Sequence, residues 1–288
     1  VKRPGGVVLC ALGIALLCAM DAVAKALGAS LPTFQIVFLR YAGAAIWLAI
    51  WIAMARAPWP QRAELPRQLL RAILLITTAS LFFYAVTNLP LAVVAALAMT
   101  APLYVTILGA LVFKERFDAR GWAALALGAA GSAVIVLQGG DDLSDAGSNA
   151  IAWGAAVLAP LTYAVTVVLL KHHATRETPA AMTLGQSALA ALLALPLALG
   201  DWPPLTPEIA GLSALIGFLG AAGFLVLING LRTIPVGVFA VLDYTALLWA
   251  GLFGLIFFGE IPGPTIWVGG TLIIAACVIN TGRKAKPS

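Results

Sequence analysis

The sequence predicts an all-α membrane protein of ten transmembrane helices in two inverted five-helix repeats, and three observations carry that prediction. First, 62% of its 288 residues are hydrophobic and only 10% are charged, with a mean hydropathy of +1.01. That is more apolar surface than a water-soluble globule of this size can hide. Second, the apolar residues gather into stretches of about 20, the length that crosses roughly 30 Å of hydrocarbon at about 1.5 Å per residue. Third, one stretch occurs twice: Pro90 to Glu115 aligns without a gap on Pro235 to Glu260 at an offset of 145, with ten identities over 26 positions. Apolar composition alone does not put Pro90/Pro235, Thr100/Thr245, Gly109/Gly254, Phe113/Phe258 and Glu115/Glu260 in one register. The same offset carries Trp122 onto Trp267.

In order, the expected spans are 5–28, 33–55, 67–88, 91–113, 120–138, 149–170, 179–199, 208–230, 236–258 and 264–282. The first begins like a secretory signal, with Lys2 and Arg3 before an apolar run. The run continues through Leu27, long enough to span, so it is expected to be a retained helix. The later boundaries are written in turn chemistry. Ser30-Leu31-Pro32 opens span 2, and Ala57-Pro58-Trp59-Pro60 closes it. Asn88-Leu89-Pro90 separates spans 3 and 4, and Gly139-Gly140-Asp141-Asp142 ends span 5. Trp202-Pro203-Pro204 lies between spans 7 and 8, and Ile261-Pro262-Gly263-Pro264 between spans 9 and 10.

If ten is the right number, alternate loops must differ in Lys and Arg. With the N-terminus inside, the cytoplasmic set holds 15 of the 17 basic residues, among them Arg56, Arg67, Arg71, Lys114, Lys171, Arg176 and Arg232. The other two, Lys25 and Arg40, lie within spans. The outer loops carry Asp141, Asp142, Asp145, Asp201, Glu208 and Glu260. Both termini are therefore expected in the cytoplasm, and the net charge of +5 reads as membrane orientation with no nucleic-acid partner. Five spans per repeat is an odd number, so the second copy enters the membrane upside down. The repeats are expected at 1–141 and 146–288, and such inverted repeats are the build of secondary transporters.

Ten spans in two five-span units resemble the drug/metabolite transporter superfamily, in its EamA-type branch. The residues that carry the resemblance are Pro102, Glu115, Gly128 and Gly131 in the first copy and Gly259, Glu260, Gly269 and Gly270 in the second. One departure is Leu247, which stands where Pro102 would recur and leaves a helix break there without its expected cause. Within the superfamily the chain looks most like the YddG-type aromatic amino acid exporters of bacterial inner membranes. The resemblance implies a multi-pass inner-membrane exporter, working by alternating access through a mostly apolar central cavity. It also implies a small-molecule substrate, aromatic amino acids first, and a lipid bilayer as the other partner. The alternative within transport is a broad-specificity drug or non-aromatic amino acid exporter.

The face of spans 4 and 9 at i, i+4, i+7, i+11 carries Val93, Leu97, Thr100 and Tyr104 in one copy and Val238, Leu242, Thr245 and Trp249 in the other. Tyr104 and Trp249 are expected as stacking walls or as packing aromatics. Tyr84, Tyr163 and Tyr244 lie in apolar helices, where a hydroxyl facing lipid has no partner, so they are expected to point inward or to an interface. Met20 and Met99 offer adaptable apolar surface.

Four ionisable residues fall at membrane depth, Asp21, Lys25, Arg40 and Asp243. Such groups cost about 2.5–3.5 kcal/mol on insertion scales and default to functional hypotheses. Asp21 and Lys25 form an i, i+4 pair, and the resemblance places Arg40 on a peripheral helix. Asp243 has Ala98 as its repeat mate and so breaks the symmetry, which makes it the candidate for proton coupling or for an amino group. Asn229 is expected to cap backbone carbonyls, and His172 with His173 to be a solvated loop pair.

Cys10, Cys18 and Cys277 lie in apolar runs without metal spacing and are expected to be packing residues. The sequence holds none of the HExxH, GxSxG, Walker A or GxGxxG patterns in their required settings. No enzyme activity, cofactor or metal is expected. The chain is taken as a monomer, with its oligomeric state left open.

Overall fold

The computed structural model describes residues 5–88, 94, 97–114, 118–137, 150–259 and 264–281. Pro90, Val93, Glu115, Asp141, Asp142, Asp145 and Glu260 lie outside them. The described helices are α1 (Gly6–Leu27), α2 (Thr33–Ala55), α3 (Leu65–Asn88), α4 (Ala101–Phe113), α5 (Ala119–Leu137), α6 (Ala150–His173), α7 (Pro179–Ala198), α8 (Pro207–Leu231), α9 (Val236–Asp243), α10 (Ala246–Phe258) and α11 (Pro264–Thr281). A short 3₁₀ turn, Arg62–Glu64, precedes α3. Each of the ten predicted spans holds helix, and α9 with α10 share the ninth. Among the described residues, seven helical stretches are long and apolar enough to cross a bilayer, and Ala101–Phe113 and Trp267–Ile279 are shorter apolar helices. Met54, Ile46, Leu192 and Trp267 stand exposed, as lipid-facing side chains do.

Local chemistry sets the helix ends. Thr178 and Thr206 each accept a hydrogen bond from the third helical amide (3.3 Å from Ala181 N, 3.2 Å from Ile209 N), and Pro179 and Pro207 follow at the first position, where no amide hydrogen is needed.

The chain divides into two compact units that cut across the sequence repeats. Unit 1 comprises Val1–Ile76 and Leu169–Thr233, and unit 2 comprises Thr77–Val168 and Ile234–Ser288.

In unit 1, α1 packs on α8, and α2 packs on α7 and α8. The α2–α8 contact closes to backbone distance: a Cβ on Gly217 would sit 2.6 Å from the Cα and carbonyl carbon of Gly43. Ala44, Leu48 and Ile52 of α2 meet Ala180 and Leu184 of α7 and Ala221 of α8. Near the start of α3, Arg71 is fully buried. It donates from Nη1 to His173 Nδ1 (2.8 Å) and from Nη2 to Glu177 Oε2 (2.8 Å). Arg67 approaches Glu177 at 3.7 Å. The expected solvated histidine pair is thereby corrected: His173 is buried, because a fully buried guanidinium needs acceptors.

In unit 2, α5 packs on α11, and α9 packs on α4, α5 and α11. Ala85, Val94, Ala152, Ala155 and Ala156 form a core of small residues there. Spans 4 and 9 are both broken, and at the same place in the repeat. Thr100 turns its hydroxyl back to the Leu97 carbonyl (2.5 Å), and Thr245 does the same to Leu242 (2.6 Å). In each copy a new helix then begins, α4 at Ala101 and α10 at Ala246. The second break has no proline, so the element common to both is the threonine that satisfies a carbonyl of the broken turn. The matching ends also agree: Lys114 after α4 and Gly259 after α10 both adopt left-handed φ, 54° and 66°.

Candidate functional site

The two breaks border one cavity of about 240 Å³ within unit 2. The first break contributes Ala98, Met99, Ala101 and Pro102, and the second contributes Asp243, Tyr244 and Ala246. Three pairs on this wall are repeat mates: Ala98 with Asp243, Met99 with Tyr244, and Ala101 with Ala246. Thr78 and Phe82 of α3 and Ala156, Ala159, Pro160 and Tyr163 of α6 complete much of the remainder. The surface is almost wholly apolar.

One polar pair stands on that surface. Tyr163 donates its hydroxyl proton between the two oxygens of Asp243, at 3.1 and 3.0 Å. Around it, Pro160 removes one backbone donor from α6, Thr162 bonds back to the Ala159 carbonyl (2.9 Å), and Thr78 donates to Thr162 (2.8 Å). Tyr163 is thus carried one turn past a proline on a helix tied to α3. Asp243 ends α9, and the turn at Tyr244–Thr245 sets it at a helix terminus on the cavity wall. Tyr244 is 1% exposed, and its hydroxyl has no hydrogen-bond partner. Its ring lies against Gly128, where an added Cβ would come within 2.5 Å of Cδ2.

Of the eight predicted site residues, Met99, Tyr163, Asp243 and Tyr244 line this cavity. The other four stand elsewhere. Met20 is buried in unit 1 among Leu27, Leu31, Ile36 and Ile216, where its unbranched chain fills core. Tyr84 is 41% exposed on α3, and Phe82 takes the cavity position on that helix. Tyr104 is half-buried on α4, off the cavity lining, and Trp249 stacks on Phe253 one turn along α10, with centroids 6.0 Å apart. Val238 and Leu242, on the face that spans 4 and 9 share, are buried core residues.

Among the other ionisable groups, Asp21 and Lys25 are exposed on α1, and Arg40 lies 5.1 Å over the Tyr41 ring. Asn229 bonds the Leu225 carbonyl of its own helix (2.8 Å). The sequence reading missed Thr78, Phe82 and Ala156, which nothing in a uniformly apolar helix distinguishes. Ala98 was recoverable, because it is the repeat mate of Asp243.

Apolar helices of spanning length around a solute-sized chamber define a multi-pass membrane transporter. The EamA-like transporter family model matches the chain twice, over residues 5–137 and 150–282, and the chain belongs to that family. It is a transporter, not an enzyme, and the two matches are a duplicated helical unit.

Relatives across most of its length carry different cargo. The chain is 27% identical over 281 residues to the pseudopaline exporter of Pseudomonas aeruginosa, covering 97% of this chain and 96% of that one. It is 23% identical to an S-adenosylmethionine uptake transporter of Rickettsia bellii, covering 93% and 90%. It is 30% identical to a riboflavin transporter of Rhizobium johnstonii, covering 77% and 73%. A solved crystal structure shares the fold with a TM-score of 0.81 over 96% of both chains, at 19% identity.

Proposed function

We propose that this chain is a bacterial inner-membrane secondary transporter, both termini cytoplasmic, that exports aromatic amino acids and related small metabolites by alternating access. The observation that carries the reading is the cavity of about 240 Å³ with one carboxylate in an otherwise apolar wall. Pockets for drug-sized ligands run about 300–1,000 Å³, so a cavity just below that range suits a metabolite with a single ring system. Phe82, Met99 and Tyr244 give a ring apolar and aromatic surface, and Asp243 with Tyr163 gives an amino group its acceptor. This also agrees with the resemblance to the YddG-type exporters.

A second reading, a broad-specificity drug or non-aromatic amino acid exporter, is favoured by the spread of cargo among the relatives: pseudopaline, S-adenosylmethionine and riboflavin. An apolar wall with one polar pair selects by fit more than by hydrogen bonds.

The full chain in proteoliposomes, loaded with labelled phenylalanine, tyrosine or tryptophan, is expected to show counterflow of at least one. Failure with all three, alongside movement of a non-aromatic amino acid or a dye, moves the assignment to the second reading. Accessibility labelling from the two sides tests the orientation, and a carboxy tail outside the cytoplasm overturns it.

A further inference from the structure

The balance of charge around Asp243 narrows the cargo and fixes how its movement is driven. The inference rests on the reading of this cavity as the substrate site. Asp243 accepts one shared hydroxyl proton from Tyr163, and among the described residues no Lys, Arg or His lines the cavity.

The elements packed on α9 supply no nearby cation either. Within 101–113, α4 has Tyr104 as its titratable residue, and α10 has none. On α11, Cys277 turns its Sγ to the Val241 carbonyl (3.7 Å). Arg120 of α5 lies in that helix's first turn, and on α6 Lys171, His172 and His173 lie two turns beyond Tyr163. The unit-2 part of α3 contributes Tyr84.

A carboxylate half-buried in an apolar wall with one neutral donor is less well solvated than in water, and a positive partner or a proton offsets that loss. Two occupancies are therefore electrically balanced: the protonated acid in an empty cavity, and the carboxylate with a cationic cargo. A zwitterionic amino acid gives neither, because its own carboxylate would enter a wall with no fixed cation.

We propose that the cavity takes organic monocations with a flat apolar body, such as aromatic amines and amino acid esters or amides, in preference to the parent zwitterions, and exchanges each for one proton at Asp243. On the loading side the Asp243 carboxylic acid gives its proton to water as the cation binds. On the release side the cation leaves, and the carboxylate takes a proton from water. Each cycle moves one cation one way and one proton the other, with no net charge transferred.

The test uses the full chain in phosphatidylethanolamine–phosphatidylglycerol vesicles holding the pH dye pyranine, with the interior made one pH unit more acid. The probe is labelled N,N,N-trimethylphenethylammonium, which carries a permanent charge and cannot itself ferry a proton, and phenylalanine is run in parallel. The cation is expected to accumulate about tenfold for one pH unit, the limit that one proton per cation sets. The interior should alkalinise by one proton per cation, unaffected by a clamped potential. Asp243→Asn is expected to lose this accumulation, and Asp243→Glu, which keeps the charge, to restore it.

A measured ratio other than one proton per cation overturns the proposal whatever the variants do. So does accumulation that survives in Asp243→Asn, or phenylalanine transported ahead of the cation. Phenylalanine moving alone leaves the exporter reading standing and removes this one, and movement of neither probe nor of any aromatic amino acid removes both.

Discussion

Unit 1 buries a carboxylate and unit 2 half-buries one on its cavity wall, and they treat it in opposite ways. In unit 1, Glu177 is enclosed with a guanidinium at 2.8 Å and a second at 3.7 Å, and His173 takes another of Arg71's protons. Only Nε of Arg71 is left without a partner in that group. In unit 2, Asp243 has a phenol and an apolar chamber. The first arrangement has its charges matched without a ligand, so it is architecture. The second is complete only with a proton or a cation, so it is the place to look for chemistry. Charge alone did not separate them; the identity of the partner did.

The largest effect should come from breaking the closed pair. Glu177→Ala leaves Arg71 buried without its counter-ion and is expected to destabilise unit 1 by about 3–5 kcal/mol, read as a lower thermal midpoint in detergent. Asp243→Asn, measured in the same scan, should be neutral or stabilising, because it strands no buried counter-charge and keeps an acceptor for Tyr163. Equal losses in both variants would erase the distinction between the two units.

The next effect sharpens it. Gly217→Ala drives a methyl into the Gly43 backbone of α2, which cannot rotate away, at about 1–3 kcal/mol of overpacking. Gly128→Ala meets the ring of Tyr244, a side chain on the cavity wall. Its cost is expected to appear as altered cargo selection in counterflow, with a smaller change in thermal midpoint.

The smallest effects compare the two helix breaks. Thr100→Val and Thr245→Val each remove one hydroxyl bond to a carbonyl and should cost about 1 kcal/mol apiece in the same melting assay. Pro102→Ala should change stability by less than about 1 kcal/mol, since the second copy breaks at the same position with Leu247 in place of proline. A larger loss for Pro102→Ala than for Thr100→Val would show that the proline, and not the threonine, holds the first break.

Four of the eight residues chosen from sequence line the candidate cavity. Asp243 was found because charge at membrane depth is rare, and Tyr163 and Tyr244 because a hydroxyl in hydrocarbon needs somewhere to go. Met99 was chosen for its side-chain chemistry, and the repeat register makes it the mate of Tyr244. Met20, Tyr84, Tyr104 and Trp249 were chosen by the same residue-type arguments and lie off this cavity. In a helix that is apolar all round, composition does not say which face meets a neighbour. His173 was misjudged for a related reason, because nothing in its local sequence announces Arg71 about a hundred positions away.

The sequence by itself determined the ten spans and the duplication, and it marked a break at Pro102 while leaving one at Leu247 without its expected cause. These follow from interactions within one segment: in lipid each backbone group must be satisfied inside its own helix, and each threonine satisfies a carbonyl one turn back. Only the tertiary structure decided which side chains share the cavity and that Glu177 is paired while Asp243 is not. It also decided that the compact units cross the boundary between the repeats. Those outcomes depend on how helices distant in the chain rotate against one another, and the pattern along a single helix does not encode that rotation.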